Sequence, residues 1–516
     1  MQDNMRKSSK KRAPRSTYIS QNQLKLDGFT SPFYEQLNPN NRWVHLAKVI
    51  PWDSLVGLYQ RRNPPKATGR PPLNPRVIIG AMIIKHICAL DDEEVVVQIT
   101  ENMYMQYFLG YSSYSSEPPF DSSLFVEFRK RMGEELIAEM NNCILEFAQV
   151  KPKVERDKSS DEQEHNGNKE DPPNQGELLM DATVSPQDIA YPTDINLLND
   201  ARKMTEKIID YLYQPQEGNK KPRTYRQKAR KKYLQVAKNR NPSRKTIRRG
   251  IREQLQYLKR NLKSIDKLLD QYESFPLEHK WQRYYWIVQL LYAQQRYMYE
   301  NKTHQVEDRI VSIHQPHVRP MVRGKARTKT EFGAKIHVSL VNGYSFLDTI
   351  SWDAFNESKH LKEYVEKYRA RYGCYPAKVH VDQIYATREN RKWLKEIGVK
   401  LAAKPLGRPS VKAVVNHVSP GERNPIEGKF GQAKNGYGMN LIRARLKATS
   451  QSWIATIIMV LNLVKLTGQA LLCLSFSVWR WLLSEMYELM EANAFSKMKT
   501  NHLVVRHRVV NTGFLL

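Results

Sequence analysis

Two β-type runs joined by Asn342-Gly343 constrain this chain more than any other feature. Ala334–Val341 and Tyr344–Ile350 are rich in β-branched and aromatic residues. Asn-Gly between such runs is the strongest short-range signal for a two-residue hairpin turn. A third run, Glu177–Val184, is apolar and contains Asp181, which reads as a buried strand running out into a carboxylate. A fourth, Ala377–Asp382, has the same form, with Asp382 at its end, and a short strand is expected near 399–402. Helices of 358–370 and 386–396 separate these last strands, and the chain is helical again from about 425. Between the first strand and the hairpin lies a long helical excursion, 195–300. The expected fold class is therefore α/β, a mixed sheet with an all-α insertion after its first strand.

The region 41–150 is read as a separate helical domain. Pro71, Pro72 and Pro75 punctuate the start of a segment, Val77–Ile84, too apolar to lie on a surface. Asp91 or Asp92 is placed to cap the next helix, and another begins near Asp121-Ser122-Ser123. Residues 151–176 form an acidic, proline-containing linker: 155–177 holds eight acidic residues against three basic ones. Residues 1–40 begin as a basic arm, and 471–516 form a helical tail.

Charge narrows the partners. The 516 residues carry 82 Lys and Arg against 53 Asp and Glu, a formal net charge of +29. Such a chain attracts polyanions, nucleic acid first. The window 219–263 is the extreme, with eighteen basic residues and one acid, Glu253. Arg244, Arg248, Arg249 and Arg252 recur there at helical spacing and would track a phosphate backbone. Arg129 and Arg131, in Phe128-Arg129-Lys130-Arg131, form a second basic cluster that either contacts DNA or is an exposed face. The aromatic segment Trp281–Tyr299 is either the seam of a helical hairpin or a surface that stacks on nucleobases. The basic stretch 319–329 is read as a loop approaching the hairpin.

Other classes recede. Cys88, Cys143, Cys374 and Cys473 are scattered with no C-x-x-C pair, which argues against a zinc ribbon and fits a reducing cytoplasm. The apolar stretch 453–483 is broken by Lys465, Gln469 and Arg480 and reads as buried helix rather than a membrane span. No glycine-rich phosphate loop is present, so ATP is not implied. His314 and His317 form H-x-x-H without further ligands nearby and are read as structural or surface residues.

The carboxylates carry the chemistry. Divalent metal catalysis on phosphodiesters uses hard ions held by a few carboxylates at strand and helix ends. Asp181 and Asp382 fit if their strands are neighbours; Asp188 and Asp194 lack that strand context. Glu427 lies in a helical segment between Arg423 and Lys434, cations that would favour its ionised form and could hold phosphates.

Asp181, Asp382 and the block Arg423-x3-Glu427-x6-Lys434 resemble the acids and C-terminal signature of bacterial insertion-sequence transposases of the DDE type, in the family-four and family-five clan. The tyrosine often found three residues before the arginine is Pro420 here. Asp382-Gln383-Ile384-Tyr385 followed by Glu389-Asn390-Arg391 is similar to the family's second-acid motif. Residues 72–133, with Phe120-Asp121-Ser122-Ser123-Leu124, resemble the helical N-terminal domain of family five. The resemblance implies a ribonuclease-H-like catalytic core over 177–194 and 301–470, with 195–300 inserted. It implies that Asp181, Asp382 and Glu427 are catalytic and bind two Mg²⁺ or Mn²⁺ ions. Arg423, Lys434, Tyr385 and Arg388 would contact DNA. The expected partners are transposon ends and target DNA, bound by a homodimer, in the bacterial cytoplasm at the nucleoid. A catalytically silent DNA-binding relative and a structure-selective nuclease share many of these features.

Overall fold

A computed structural model describes residues 18, 20, 37–64, 71–150, 173–213, 220–322, 330–403 and 424–468. Among the described residues seven helices come first: α1 (Arg42–Val49), α2 (Trp52–Arg62), α3 (Pro75–Ile87), α4 (Asp92–Glu101), α5 (Met103–Phe108), α6 (Leu124–Arg131) and α7 (Glu134–Phe147). Asn74 caps α3, and Pro75, which lacks an N–H to satisfy, sits in its first turn. From Pro75 to His86 every residue of α3 is buried, as its uninterrupted apolar run predicts. Asp91 is the cap of α4, its carboxylate accepting from Glu93 and Glu94 N–H. Met132-Gly133 ends α6 and separates it from α7, so the sequence that reads as one helix is two.

The sheet follows, made of β1 (Glu177–Pro186), β2 (Arg319–Val322), β3 (Thr330–Val341), β4 (Tyr344–Ser351), β5 (Lys378–His380) and β6 (Lys400–Ala402). Its order is β2-β3-β1-β5-β6, with β4 pairing the other part of β3. β3 runs antiparallel to β1, β2 and β4, while β1, β5 and β6 are parallel. The turn joining β3 to β4 has Asn342 at φ +51 and Gly343 at φ +78, the paired positive values that Asn-Gly tolerates best. β2 corrects the loop reading of 319–329: Arg319–Val322 is an edge strand on β3. At Gly333 the backbones approach so closely that a Cβ would stand 2.1 Å from the Ser185 carbonyl oxygen, which leaves glycine as the only fit.

Helices cover both faces. Alternation sends Leu178 and Met180 of β1, with Val379 of β5, toward α12 (Leu361–Tyr372) and α13 (Arg388–Glu396). Leu179, Ile336 and Val338 point the other way, against α14 (Asn424–Gly436) and α15 (Lys447–Gly468). The insertion is α8 (Asp194–Leu212), α9 (Arg226–Ala237), α10 (Arg244–Leu269) and α11 (His279–Glu300), with a hydrophobic core of its own. Tyr285, Ile287, Val288, Leu291 and Met298 of α11 are buried in or against this bundle, so the seam reading holds for that face, while Trp286 and Tyr297 stay half-exposed.

The apolar helix α15 is long and apolar enough to cross a membrane, yet 78% of its apolar window is buried inside the protein. One stripe, Ala455, Met459, Val460 and Leu463, closes the core of the N-terminal helices. Another, Ile454, Ile457, Ile458 and Leu461, closes the sheet face under α14. Between the stripes Asn462 is fully buried; its amide donates to Asn141 Oδ1 of α7 at 2.8 Å and to the Ser345 carbonyl of β4 at 2.7 Å, while its Oδ1 accepts from Ser345 N–H at 2.7 Å. Truncating Asn462 to alanine strands a buried backbone N–H and a second amide. Each such group costs about 1–3 kcal/mol, so N462A should lose roughly 2–4 kcal/mol in urea titrations. A loss under about 0.5 kcal/mol, the scale of an ordinary surface substitution, would show that the knot carries no weight.

Candidate active site

The first two acids both follow one strand pairing. Leu179 of β1 stands opposite His380 of β5. That pairing ends there; Asp181 and Asp382 each lie two residues beyond it, and alternation along β1 turns Asp181 toward the α14 face. Asp181 is not at a strand end, however. β1 continues to Pro186 because its other edge stays paired with β3, where Asp181 faces Val338. The strand that ends is β5, so Asp181 lies where β1 loses a neighbour and the sheet opens.

Both carboxylates are oriented locally. Asp181 Oδ1 accepts from Ala182 N–H at 2.8 Å, and Asp382 Oδ1 accepts from Gln383 N–H at 2.7 Å as it caps the short 3₁₀ turn Gln383–Tyr385. Asp181 is half-buried and Asp382 exposed. Glu427, also exposed, lies in the first turn of α14. The buried stripe of α14 is Ile426, Phe430 and Ala433, which packs on the sheet face toward which Asp181 points; Glu427 and Lys434 each follow a member of it and so flank the contact. Three oxygen donors with no thiol or imidazole suit a hard divalent ion. Among the described residues, though, no three His, Cys, Asp or Glu side chains are close enough to hold a metal. The fold thus sets the first two acids two residues beyond the last pair of adjacent strands, and the third on the helix that packs on the face of β1 carrying Leu179.

The second-acid turn is held from behind. Asn390, buried in α13, donates to the Tyr385 carbonyl at 2.9 Å and to the Ser358 carbonyl at 2.8 Å. This ties the Asp382 turn to the turn Glu357–His360, where Glu357 pairs with Lys335 of β3 at 2.8 Å. Tyr385 is fully buried, so the reading of it as a DNA contact is corrected: its ring belongs to the core beneath α12. Burial pushes its hydroxyl far above the usual phenol range, and the charges of Glu357 and Asp181 add to that. Behind β1, His337, the neighbour of Ala182, bonds Asp348 at 2.8 Å, with both side chains wholly buried and Tyr364 stacked on the ring. Spacing alone missed these residues; the one signal was the motif Glu389-Asn390-Arg391 at the start of a helix.

The basic candidates divide. Arg129 is buried and forms a bidentate pair with Asp92 at 2.7 and 2.9 Å, a carboxylate it shares with buried Lys85. Burial raises the Asp92 carboxyl, but Arg129 and Lys85 outweigh it and hold the group below the usual range. Arg129 is therefore a structural residue, which corrects its reading as a DNA contact. Arg131 is half-exposed and pairs with Glu127 on its own helix. Arg388 is exposed at the start of α13. Arg244, Arg248, Arg249 and Arg252 are all exposed, opposite the buried face of α10, with Arg248 lying over the Tyr299 ring. Arg423 lies outside the described residues.

The H-x-x-H pair is structural. His314 Nδ1 bonds the Tyr284 hydroxyl at 2.9 Å, and His317 stands edge-on to Trp352 with ring centroids 4.3 Å apart. Of the competing acids, Asp194 is occupied by Arg309 and Gln295, both at 2.9 Å, and the Asp188 carbonyl accepts from Gln315.

Residues 379–464 match the family described as transposase DDE domain, and residues 31–131 match the transposase domain (DUF772). An uncharacterized protein, ORF8 in the nfe locus of Rhizobium meliloti, is 33% identical over 171 residues, covering 33% of this chain and 72% of that protein. The chain belongs to the DDE transposases. No solved structure matches it. The DDE match contains Asp382, Glu427 and Lys434, whereas Asp181 and the whole helical insertion lie outside both matched segments.

Burial, with the positive charges of Lys447, Arg283 and Arg319, pushes His317 down from 6.5 to about 4. Its unfolded form binds the proton first, so the stability is present above pH 6.5 and drains as pH falls toward 4. H317F should flatten the fall of the urea midpoint across that window; an unchanged slope would mean His317 is not the group titrating there.

Proposed function

We propose that this DDE transposase binds the ends of its mobile element and catalyses metal-dependent strand cleavage and strand transfer at Asp181, Asp382 and Glu427. The observation that supports the reading is the parallel pairing of β1 with β5, which ends two residues before Asp181 and Asp382, with the helix bearing Glu427 packed on the same face of β1 as Leu179. The strand order supports a ribonuclease-H-like core: an antiparallel hairpin beside β1, then β5 and β6 parallel to it on the other side.

The three carboxylates would hold two Mg²⁺ or Mn²⁺ ions, which supply Lewis-acid activation of the attacking hydroxyl and neutralise the leaving oxygen. Asp181 is fixed by its pairing on β3, and Asp382 by its cap and by Asn390 behind the turn. Glu427 enters from α14, whose packed stripe sets the approach of that helix to the sheet. Lys434, two turns on, faces the same approach, and Arg388 opens toward solvent beside the second acid. These cations, with Arg423, would position phosphates without reading bases. The basic face of α10 would track duplex backbone, and a homodimer would hold two ends together. The N-terminal helices 41–150, the inserted bundle 195–300 and the sheet with α14 and α15 would form three working units.

The test is purified protein with Mg²⁺ or Mn²⁺ and a DNA carrying the element's terminal repeats. D181N, D382N and E427Q should each reduce nicking and joining by roughly 10³-fold or more while leaving end binding intact, as expected for groups that stabilise transition-state charge. Absence of any nicking in the unaltered protein would leave a DNA-binding function alone. Cutting of branched DNA without regard to end sequence would assign a structure-selective nuclease.

A second measurement isolates the insertion. Replacing Arg244, Arg248, Arg249 and Arg252 together by alanine should weaken duplex binding on every sequence. It should also lower the slope of log K against log salt by as much as about 0.9 for each phosphate no longer neutralised. An unchanged slope would give those charges another role.

A further inference from the structure

A cavity of about 570 Å³ opens in the helical insertion between the end of α8, the segment 220–225 and the second half of α10. That volume falls within the roughly 300–1,000 Å³ of small-molecule sites. Lys220, Arg223, Arg260 and Lys267 line it, together with Tyr225 and Tyr272, and among the described residues no carboxylate does. Among the described residues none of these four cations forms an ion pair; Asp210, on α8, is already taken by Lys221 and Arg226. Four cations around one concavity, with no carboxylate among its described lining residues, give it a positive potential that attracts an anionic occupant.

The aromatic wall is unusual. Tyr225 adopts the left-handed conformation, φ +51 and ψ 29, which a bulky side chain avoids. It leaves the ring 39% exposed at the cavity, with the Arg260 guanidinium 4.7 Å from its centroid. The strain is retained where Thr224, next to it, is buried and the Arg226 side chain bonds back to the Thr224 hydroxyl. Strained backbone of this kind gathers at ligand clamps. On the opposite wall Tyr272 is fixed by its hydroxyl, which donates to the Leu212 carbonyl at 2.6 Å.

We propose that this cavity is a nucleotide site: its four cations take the phosphates, and Tyr225, backed by Arg260, takes the flat face of the base. The chemistry recognised is a phosphorylated aromatic heterocycle, whether a free nucleoside polyphosphate or one nucleotide of a single strand. The site does not depend on the metal-dependent reading above, and it needs no glycine-rich loop because side chains supply the cations.

The experiment uses the full chain in EDTA, where no cleavage can occur. Adenosine triphosphate and pyrophosphate are titrated by calorimetry, and a labelled octathymidylate by fluorescence anisotropy. R260A and Y225G should each weaken binding about tenfold or more, while R244A, remote from the cavity, should change it less than about twofold. Y225G also separates folding from binding, because glycine carries no strain at positive φ and the thermal midpoint should hold or rise as affinity falls. Tight binding of the triphosphate identifies a free nucleotide as the ligand, and binding of the oligonucleotide alone identifies a strand. If pyrophosphate binds as well as the triphosphate and Y225G is neutral, the cavity is an anion site without base recognition and the proposal falls. It falls equally if R260A binds both nucleotide probes as the unaltered protein does.

Discussion

The buried asparagine of α15 is the tie on which the arrangement of this molecule depends. Asn462 reaches α7 and β4 at once, so the N-terminal helices and the sheet share one set of buried hydrogen bonds. Apolar stripes on the two sides of the same helix then close two separate cores. Hydrophobic burial alone would tolerate sliding along such a helix. A buried amide that must meet a particular backbone N–H and C=O does not, because each slip leaves polar groups unpaired at a cost of about 1–3 kcal/mol apiece. The position of α15 in turn sets the floor on which α14, and with it Glu427, rests.

The surroundings of the three proposed acids divide between directional and less directional constraints. Asp181 belongs to β1, paired there with β3, and Asp382 lies two residues past β5, the parallel neighbour of β1. The supports behind them are polar: the buried His337–Asp348 pair, the partly buried Lys335–Glu357 pair and the buried Asn390 clamp. Glu427 is held by an apolar stripe on one helix, a less directional constraint. Charge follows the same division. Arg129 and Lys85 are spent on Asp92 inside the N-terminal helices, whereas the arginines of α10 stay exposed.

Much of this was legible from residues. The hairpin at Asn342-Gly343 followed from a dipeptide that readily accepts two positive φ values in succession. The burial of α3 followed from its unbroken apolar run, and the insertion from its helical spacing of arginines and leucines. The errors have physical causes. Arg129 and Tyr385 read as surface residues because a basic cluster and a motif tyrosine look the same whether or not a partner waits in the interior. Asp181 read as the end of a strand because the apolar run fades there, yet pairing with β3 carries β1 on to Pro186. Arg319–Val322 read as loop because an edge strand borrows its order from its neighbour and shows little pattern of its own.

The sequence by itself determined the class of the molecule: which segments are strands or helices, where positive charge accumulates, and which carboxylates sit in apolar runs. Those properties are local, set by backbone preference and side-chain period within a few residues. Tertiary structure alone decided that β5 lies beside β1, with Asp181 and Asp382 each two residues past their last pair, and that α14 packs on the face of β1 carrying Leu179. It also decided which cations are consumed by buried partners and which surround the cavity of the insertion. Pairings between segments far apart in the chain depend on which surfaces exclude water together, and that is a property of the whole fold rather than of any segment in it.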